Sequence, residues 1–150
     1  MNTPPDPRAY PERPILAVSA AIIRDGRVLL ARRNRGPAYG LWTLPGGVVE
    51  AGETLTEALI REIDEETRLT IEPVALAGHR EVLVRDDAGK VERHFVILCF
   101  ASRWIRGEPV LNEELAEANW LQPADLASLK TTDGLRDIVA AAFERMAAAG

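Results

Sequence analysis

Gly46-Gly47-Val48-Val49-Glu50-Ala51-Gly52-Glu53, followed after seven residues by Arg61-Glu62-Ile63-Asp64-Glu65-Glu66, is the stretch that decides how this chain folds. It joins a glycine turn to a dense run of acids. On a helix beginning at Leu55, with roughly 100° per residue, Leu59 and Ile63 share one sector with Leu55. Glu62 and Glu66 fall within roughly 20° of Leu55, inside that apolar sector. Glu57, Arg61, Asp64 and Arg68 take the far, solvated side, and Glu65 lies at the edge between the two. Acids that only solubilise a surface helix would all sit on the far side. A carboxylate turned toward the protein is costly unless its charge is compensated, and several within one turn raise one another's pKa.

Working outward, Pro45-Gly46-Gly47 lets backbone approach a ligand closely, because no Cβ intervenes. Thr54 and Glu57 form a capping-box pattern for a helix running to about Arg68. Upstream, Ile15 to Ile23 and Arg27 to Ala31 read as strands joined by an Asp25-Gly26 hairpin turn. A loop from Arg32 to Gly40 and a short apolar piece, Leu41 to Leu44, lead into the acidic stretch. Downstream, Glu72 to Val84 and Val91 to Ser102 read as strands joined through Asp86-Asp87-Ala88-Gly89, and Asn119 to Leu121 as a shorter one. Leu135, Ile138, Val139, Ala142, Phe143 and Met146 mark a C-terminal covering helix. Interleaved strands and helices predict a mixed sheet with helices on its faces. The first 14 residues hold five prolines and read as an extended arm outside the 15–150 domain, free to pack on a neighbour.

With 150 residues, the chain suits one domain. Its formal net charge of −5 argues against a broad basic surface for nucleic acid. Cys99, the single cysteine, lies in an apolar run and reads as a buried thiol. Neither a signal peptide nor a run near the roughly 20 apolar residues of a membrane span is found, so the expectation is a cytoplasmic protein without membrane contact.

Clustered hard oxygen donors with no adjacent His or Cys suit Mg²⁺, with Mn²⁺ as a substitute, and argue against zinc. Mg²⁺ keeps positions for water and substrate phosphates, which points to phosphoryl or pyrophosphate chemistry.

Gly47, Glu53, Arg61-Glu62-Ile63-Asp64-Glu65-Glu66 and Leu69, with the flanking Leu44-Pro45-Gly46, resemble the Nudix box. The resemblance extends over about residues 15 to 145. It implies an α/β/α sandwich, with the box as a loop-helix-loop, and a hydrolase acting on a nucleoside diphosphate linked to another moiety. By position, it makes Glu62, Glu65 and Glu66 metal ligands together with the Gly46 carbonyl, and gives Glu53 and Arg61 the task of orienting the helix. Glu65 and Glu66 are also candidates for the general base, as is a glutamate from the later loop, Glu114 ahead of Glu113. Where this family has glycine, the chain has Arg68. A glycine there closes the helix in a left-handed conformation, so a modified terminus with retained activity is expected.

Other residues carry less specific signals. Arg32, Arg33, Arg35, Arg80 and Arg93 include candidates for phosphate binding. Tyr39 is a candidate for stacking, whereas Trp42 and Trp120 read as core, and His79 and His94 as structural. Glu113, Glu114 and Glu117 read equally as a solvated turn. The favoured substrate is ADP-ribose or a nucleotide sugar. The alternatives are a canonical or oxidised nucleoside triphosphate, a non-catalytic nucleotide-sensing module and, disfavoured by charge, an RNA-decapping enzyme. A homodimer built through the arm is a further expectation.

Overall fold

The computed structural model describes residues 6–36 and 38–150. Strand β1 (Ile15–Arg24) turns through Asp25 and Gly26 into β2 (Arg27–Arg33). Both turn residues take positive φ, 50° and 74°, the turn whose twist matches a two-residue hairpin. Short strands β3 (Trp42–Thr43) and β4 (Gly46–Val48) precede α1 (Leu55–Thr67). The long hairpin β5 (Thr70–Arg85) and β6 (Val91–Arg106) follows, then β7 (Leu115–Leu121), a 3₁₀ turn at Pro123–Ser128, and α2 (Leu135–Ala148).

One mixed sheet carries everything, in the order β3-β2-β1-β6-β5, with β4 added to β1 and β7 to β2. β1 and β6 run parallel, while the other pairs are antiparallel. β1 and β2 pair only next to their turn, at Ile23↔Val28 and Arg24↔Arg27, and then separate. β4 takes the freed edge of β1 and β3 takes the freed edge of β2. The glycine turn of the box therefore enters where two central strands part.

The alternation along β1 divides the core. Val18, Ala20 and Ile22 join Leu29, Ala58, Leu59, Ile63, Leu69 and Ile71 beneath α1. Ala21 joins Val28, Leu30, Cys99, Ala101 and the apolar stripe Leu135, Ile138, Val139 and Ala142 of α2. A strand buried on both faces reads as an unbroken apolar run, which is why Ile15 to Ile23 shows no polar alternation. The result is the expected α/β/α sandwich.

Two expectations change. Arg68 does not alter the helix terminus: it adopts the left-handed cap itself, with φ 64° and ψ 15°, and its N–H donates to the Asp64 carbonyl at 2.9 Å. Thr67 and Leu69 on either side are fully buried, and the sharp turn that buries both outweighs a left-handed penalty of roughly 1–2 kcal/mol. The second change concerns the arm. Residues 1–5 lie outside the described residues, but from Asp6 onward the arm is tied to its own chain. Asp6 pairs with Arg93, the Tyr10 N–H donates to Glu92 O at 2.8 Å, and the Tyr10 hydroxyl donates to Asp86 at 2.9 Å.

Candidate active site

The box begins with two glycines in tight quarters. A Cβ on Gly46 would lie 2.1 Å from the carbonyl oxygen of Val18, and one on Gly47 would lie 2.2 Å from the carboxyl carbon of Glu62. Gly46 thus lets β4 lie against β1, and Gly47 leaves room for a carboxylate.

α1 starts at Thr54, whose hydroxyl accepts from the Glu57 N–H at 3.2 Å. The helix then delivers its acids as the wheel predicts. Glu66 is 3% exposed, and its Oε1 has no hydrogen-bond partner. Arg33, at the end of β2, brings Nη1 to 3.8 Å from that oxygen, which is too far for a hydrogen bond. Burial pushes the Glu66 carboxyl up to about 8, with Glu114 and Glu62 adding to the rise and Arg33 and the Gly46 N–H opposing it. Glu62 is also raised by burial, against the pull of Arg61.

Arg61 departs from the wheel. Its Cα lies on the outer side, but the flexible stem folds the guanidinium back across the box. Nε and Nη2 reach the two carboxylate oxygens of Glu53 at 2.7 Å each. Nη2 also donates to Val48 O at 3.2 Å, and Nη1 reaches Glu62 at 2.9 Å and Glu65 at 3.3 Å. Hydrogen bonds from Arg61, and then from the Glu50 N–H, hold the Glu53 carboxyl down at about 2. The same carboxylates raise the Arg61 pKa.

The predicted residues therefore divide. Glu62, Glu66 and the Gly46–Gly47 backbone come together, braced by Arg61 and Glu53. Glu65 stands aside, its side chain 59% exposed and turned to Arg61. Among the described residues no three His, Cys, Asp or Glu side chains converge on one point. Of the acids in the later loop, Glu114 is the one whose charge Glu66 feels. Glu113 pairs with Arg35 at 3.0 Å and Glu117 with Arg32 at 2.8 Å.

Arg80 is not brought to the carboxylates. It pairs with Ile97, which packs against the α2-side core, and its Nε donates to Asp133 O at 2.8 Å ahead of α2. Tyr39 is 67% exposed in the loop between β2 and β3. Trp42 is buried with the α2-side core and Trp120 packs against the α1-side core, as expected. His79 is exposed, with Glu81 at 3.8 Å. The Val48 carbonyl and the Glu50 N–H, which complete the brace, were missed, since backbone groups leave no mark on side-chain pattern.

The buried, unpaired oxygen of Glu66 beside the half-buried Glu62 suits a hard divalent cation. Such an ion takes one or two protein carboxylates and leaves its other positions to water and phosphate oxygens. No helix among the described residues is long and apolar enough to cross a membrane.

Residues 13–142 match the NUDIX domain. The chain is 36% identical over 116 residues to the ADP-ribose pyrophosphatase of Methanocaldococcus jannaschii, a match that covers 77% of this chain and 66% of that protein's length. It is also 36% identical over 118 residues to the nucleoside triphosphatase NudI of Escherichia coli, covering 73% of this chain and 82% of that one. Its fold superposes on the MutT NUDIX hydrolase of Burkholderia pseudomallei with a TM-score of 0.72 at 31% identity, over 86% of this chain and 98% of that one. With the box, the sandwich and a family match over most of its length, the chain belongs to the NUDIX domain family.

Proposed function

We propose that this protein hydrolyses the pyrophosphate linkage of a nucleoside diphosphate derivative with Mg²⁺, or Mn²⁺ in its place, bound at Glu62, Glu66 and the Gly46 backbone. The observation that carries the reading is the Glu66 carboxylate, buried beside Glu62 with one oxygen unpaired. When bound, the cation supplies stabilisation of the pyrophosphate oxyanions and activation of water for attack on phosphorus. The protein's own groups do the rest. Arg61 and Glu53 hold the helix and box loop in register, Arg33 meets phosphate oxygens, and Glu65 or Glu114 takes the proton of the attacking water. One P–O bond breaks and one forms, giving a nucleoside monophosphate and the other phosphorylated half.

ADP-ribose or a nucleotide sugar is the favoured substrate. The name of the archaeal relative supports it. A nucleoside triphosphate is the second reading, favoured by the name of the bacterial relative, of whose length the match covers 82% against 66% for the archaeal one. A panel of ADP-ribose, nucleotide sugars, dinucleoside polyphosphates and nucleoside triphosphates, each with Mg²⁺ or chelator, tests both. AMP and ribose 5-phosphate from ADP-ribose are the expected products. Turnover restricted to triphosphates selects the second reading, and no metal-dependent turnover of any member rejects both.

A further inference from the structure

Glu114 lies in the stretch that leaves β6, crosses the end of α1 and enters β7. Trp104 Nε1 donates to Gly107 O at 3.0 Å and the Val110 N–H donates to Thr67 O at 2.9 Å, fixing the first half of this loop to the sheet and the helix. Leu111, Asn112 and Glu113 are exposed. Glu114 is then held from two sides. Its own N–H donates to Asn112 Oδ1 at 2.9 Å, and its carbonyl accepts the Asn34 N–H at 2.8 Å. The Asn34 side chain adds a second donor, Nδ2, to the preceding carbonyl, Glu113 O, at 3.3 Å.

Asn34 directly follows Arg33, the residue that faces Glu66. One dipeptide at the end of β2 therefore touches both the carboxylate of α1 and the loop that carries Glu114. Neither charge nor periodicity marks Asn34 in the sequence. Its neighbours contribute less: Arg35 and Glu113 are exposed partners, 55% and 92%, and such pairs add little.

We propose that Asn34 is a positioning residue, which fixes the loop at Glu114 beside Arg33 and the end of β2 by engaging two successive carbonyls of the loop with its main-chain and side-chain donors. This rests on the hydrolase reading and on Glu114 acting in it. An asparagine suits the task because its amide donates, whereas an aspartate of equal shape offers only acceptors to a carbonyl and adds charge beside two carboxylates.

The test pairs Asn34→Ala and Asn34→Asp with Glu114→Gln, alone and combined, on the intact chain. Asn34→Ala lowers kcat roughly tenfold, as loss of an outer-shell support typically does, with KM nearly unchanged. Asn34→Asp lowers it further, and Asn34→Gln restores part of it. In the Glu114→Gln background, Asn34→Ala costs nothing more, because its effect passes through that residue. An equal loss in both backgrounds overturns the inference and leaves the hydrolase reading standing. Wild-type rates in Glu114→Gln overturn it together with the role of Glu114. Hydrogen exchange needs no turnover and reads the same contact: in Asn34→Ala the amides of residues 111–115 exchange faster, with the rest of the chain unchanged. Unchanged exchange there overturns the inference whatever the activity.

Discussion

Arg61 grips Glu53 through two parallel hydrogen bonds of 2.7 Å, Nε to Oε2 and Nη2 to Oε1. The two residues belong to the helix and to the loop before it, so this fork locks one to the other. The same guanidinium restrains Glu62 and Glu65, and one cation thus sets the directions of three acids.

Arg61→Ala should release all three. The bidentate pair and the bond to Val48 O are lost together, so the urea midpoint should fall clearly below that of the wild type. Arg61→Lys keeps the charge but not the fork, and should recover less than half of the stability and little activity. Full recovery by lysine would mean that charge alone matters.

Glu66 holds its proton more tightly folded, at about 8, than at its ordinary 4.5. The folded state then carries more protons than the unfolded state between those values, so stability of chelator-treated protein should fall as pH rises from about 4.5 to about 8. Glu53, lowered to about 2, contributes with the opposite sign, and its stabilisation is lost as pH falls from about 4.5 through about 2. Urea midpoints across pH should show that Glu66→Gln flattens the decline between about 5 and 8. An unchanged slope in that variant would place the titration elsewhere.

Millimolar Mg²⁺ should raise the melting temperature of the wild type at pH 8, since a ligand for the folded state alone stabilises it. Glu66→Gln should show little or no rise, and near-wild-type turnover in that variant would defeat the metal-ligand assignment.

The two box glycines should separate fold from function. A Cβ on Gly46 meets the main chain of β1, whereas one on Gly47 meets the movable end of Glu62. Gly46→Ala should unfold at markedly lower denaturant. Gly47→Ala should stay folded while losing metal affinity and turnover, because Glu62 is displaced. Equal loss of stability in both would contradict the distinction.

Arg68→Gly relieves a left-handed arginine, worth roughly 1–2 kcal/mol, but adds freedom to the unfolded chain, a term of opposite sign and about 1 kcal/mol at most. Thermal melts should therefore place it level with or above the wild type, with activity kept, and clearly above Asp64→Gly, where a glycine in the helix costs about 1 kcal/mol. A melting temperature well below the wild type would show that the Arg68 side chain itself contributes.

The sequence by itself determined the hairpins, both long helices, a mixed sheet faced by helices and the inward turn of Glu62 and Glu66. These follow from periodicity and turn chemistry, which act between residues a few positions apart. Asp25-Gly26 needs nothing distant to turn, and Leu55, Leu59 and Ile63 need only a helix to share a face. Tertiary structure alone decided where the ends of long side chains lie and which distant segments meet. The helical wheel places the Cα of Arg61 but not its guanidinium, which a stem of three methylenes lets fold back to Glu53. Nothing local separates Glu114 from Glu113 and Glu117; Arg35 and Arg32, some eighty residues away in sequence, do so by engaging the carboxylates of the other two. Arg80 was drawn to the opposite face of the sheet from Glu66 by strand register. Arg68 is the most direct case, for its sequence argues against a left-handed cap, and burial of Thr67 and Leu69 on either side imposes one.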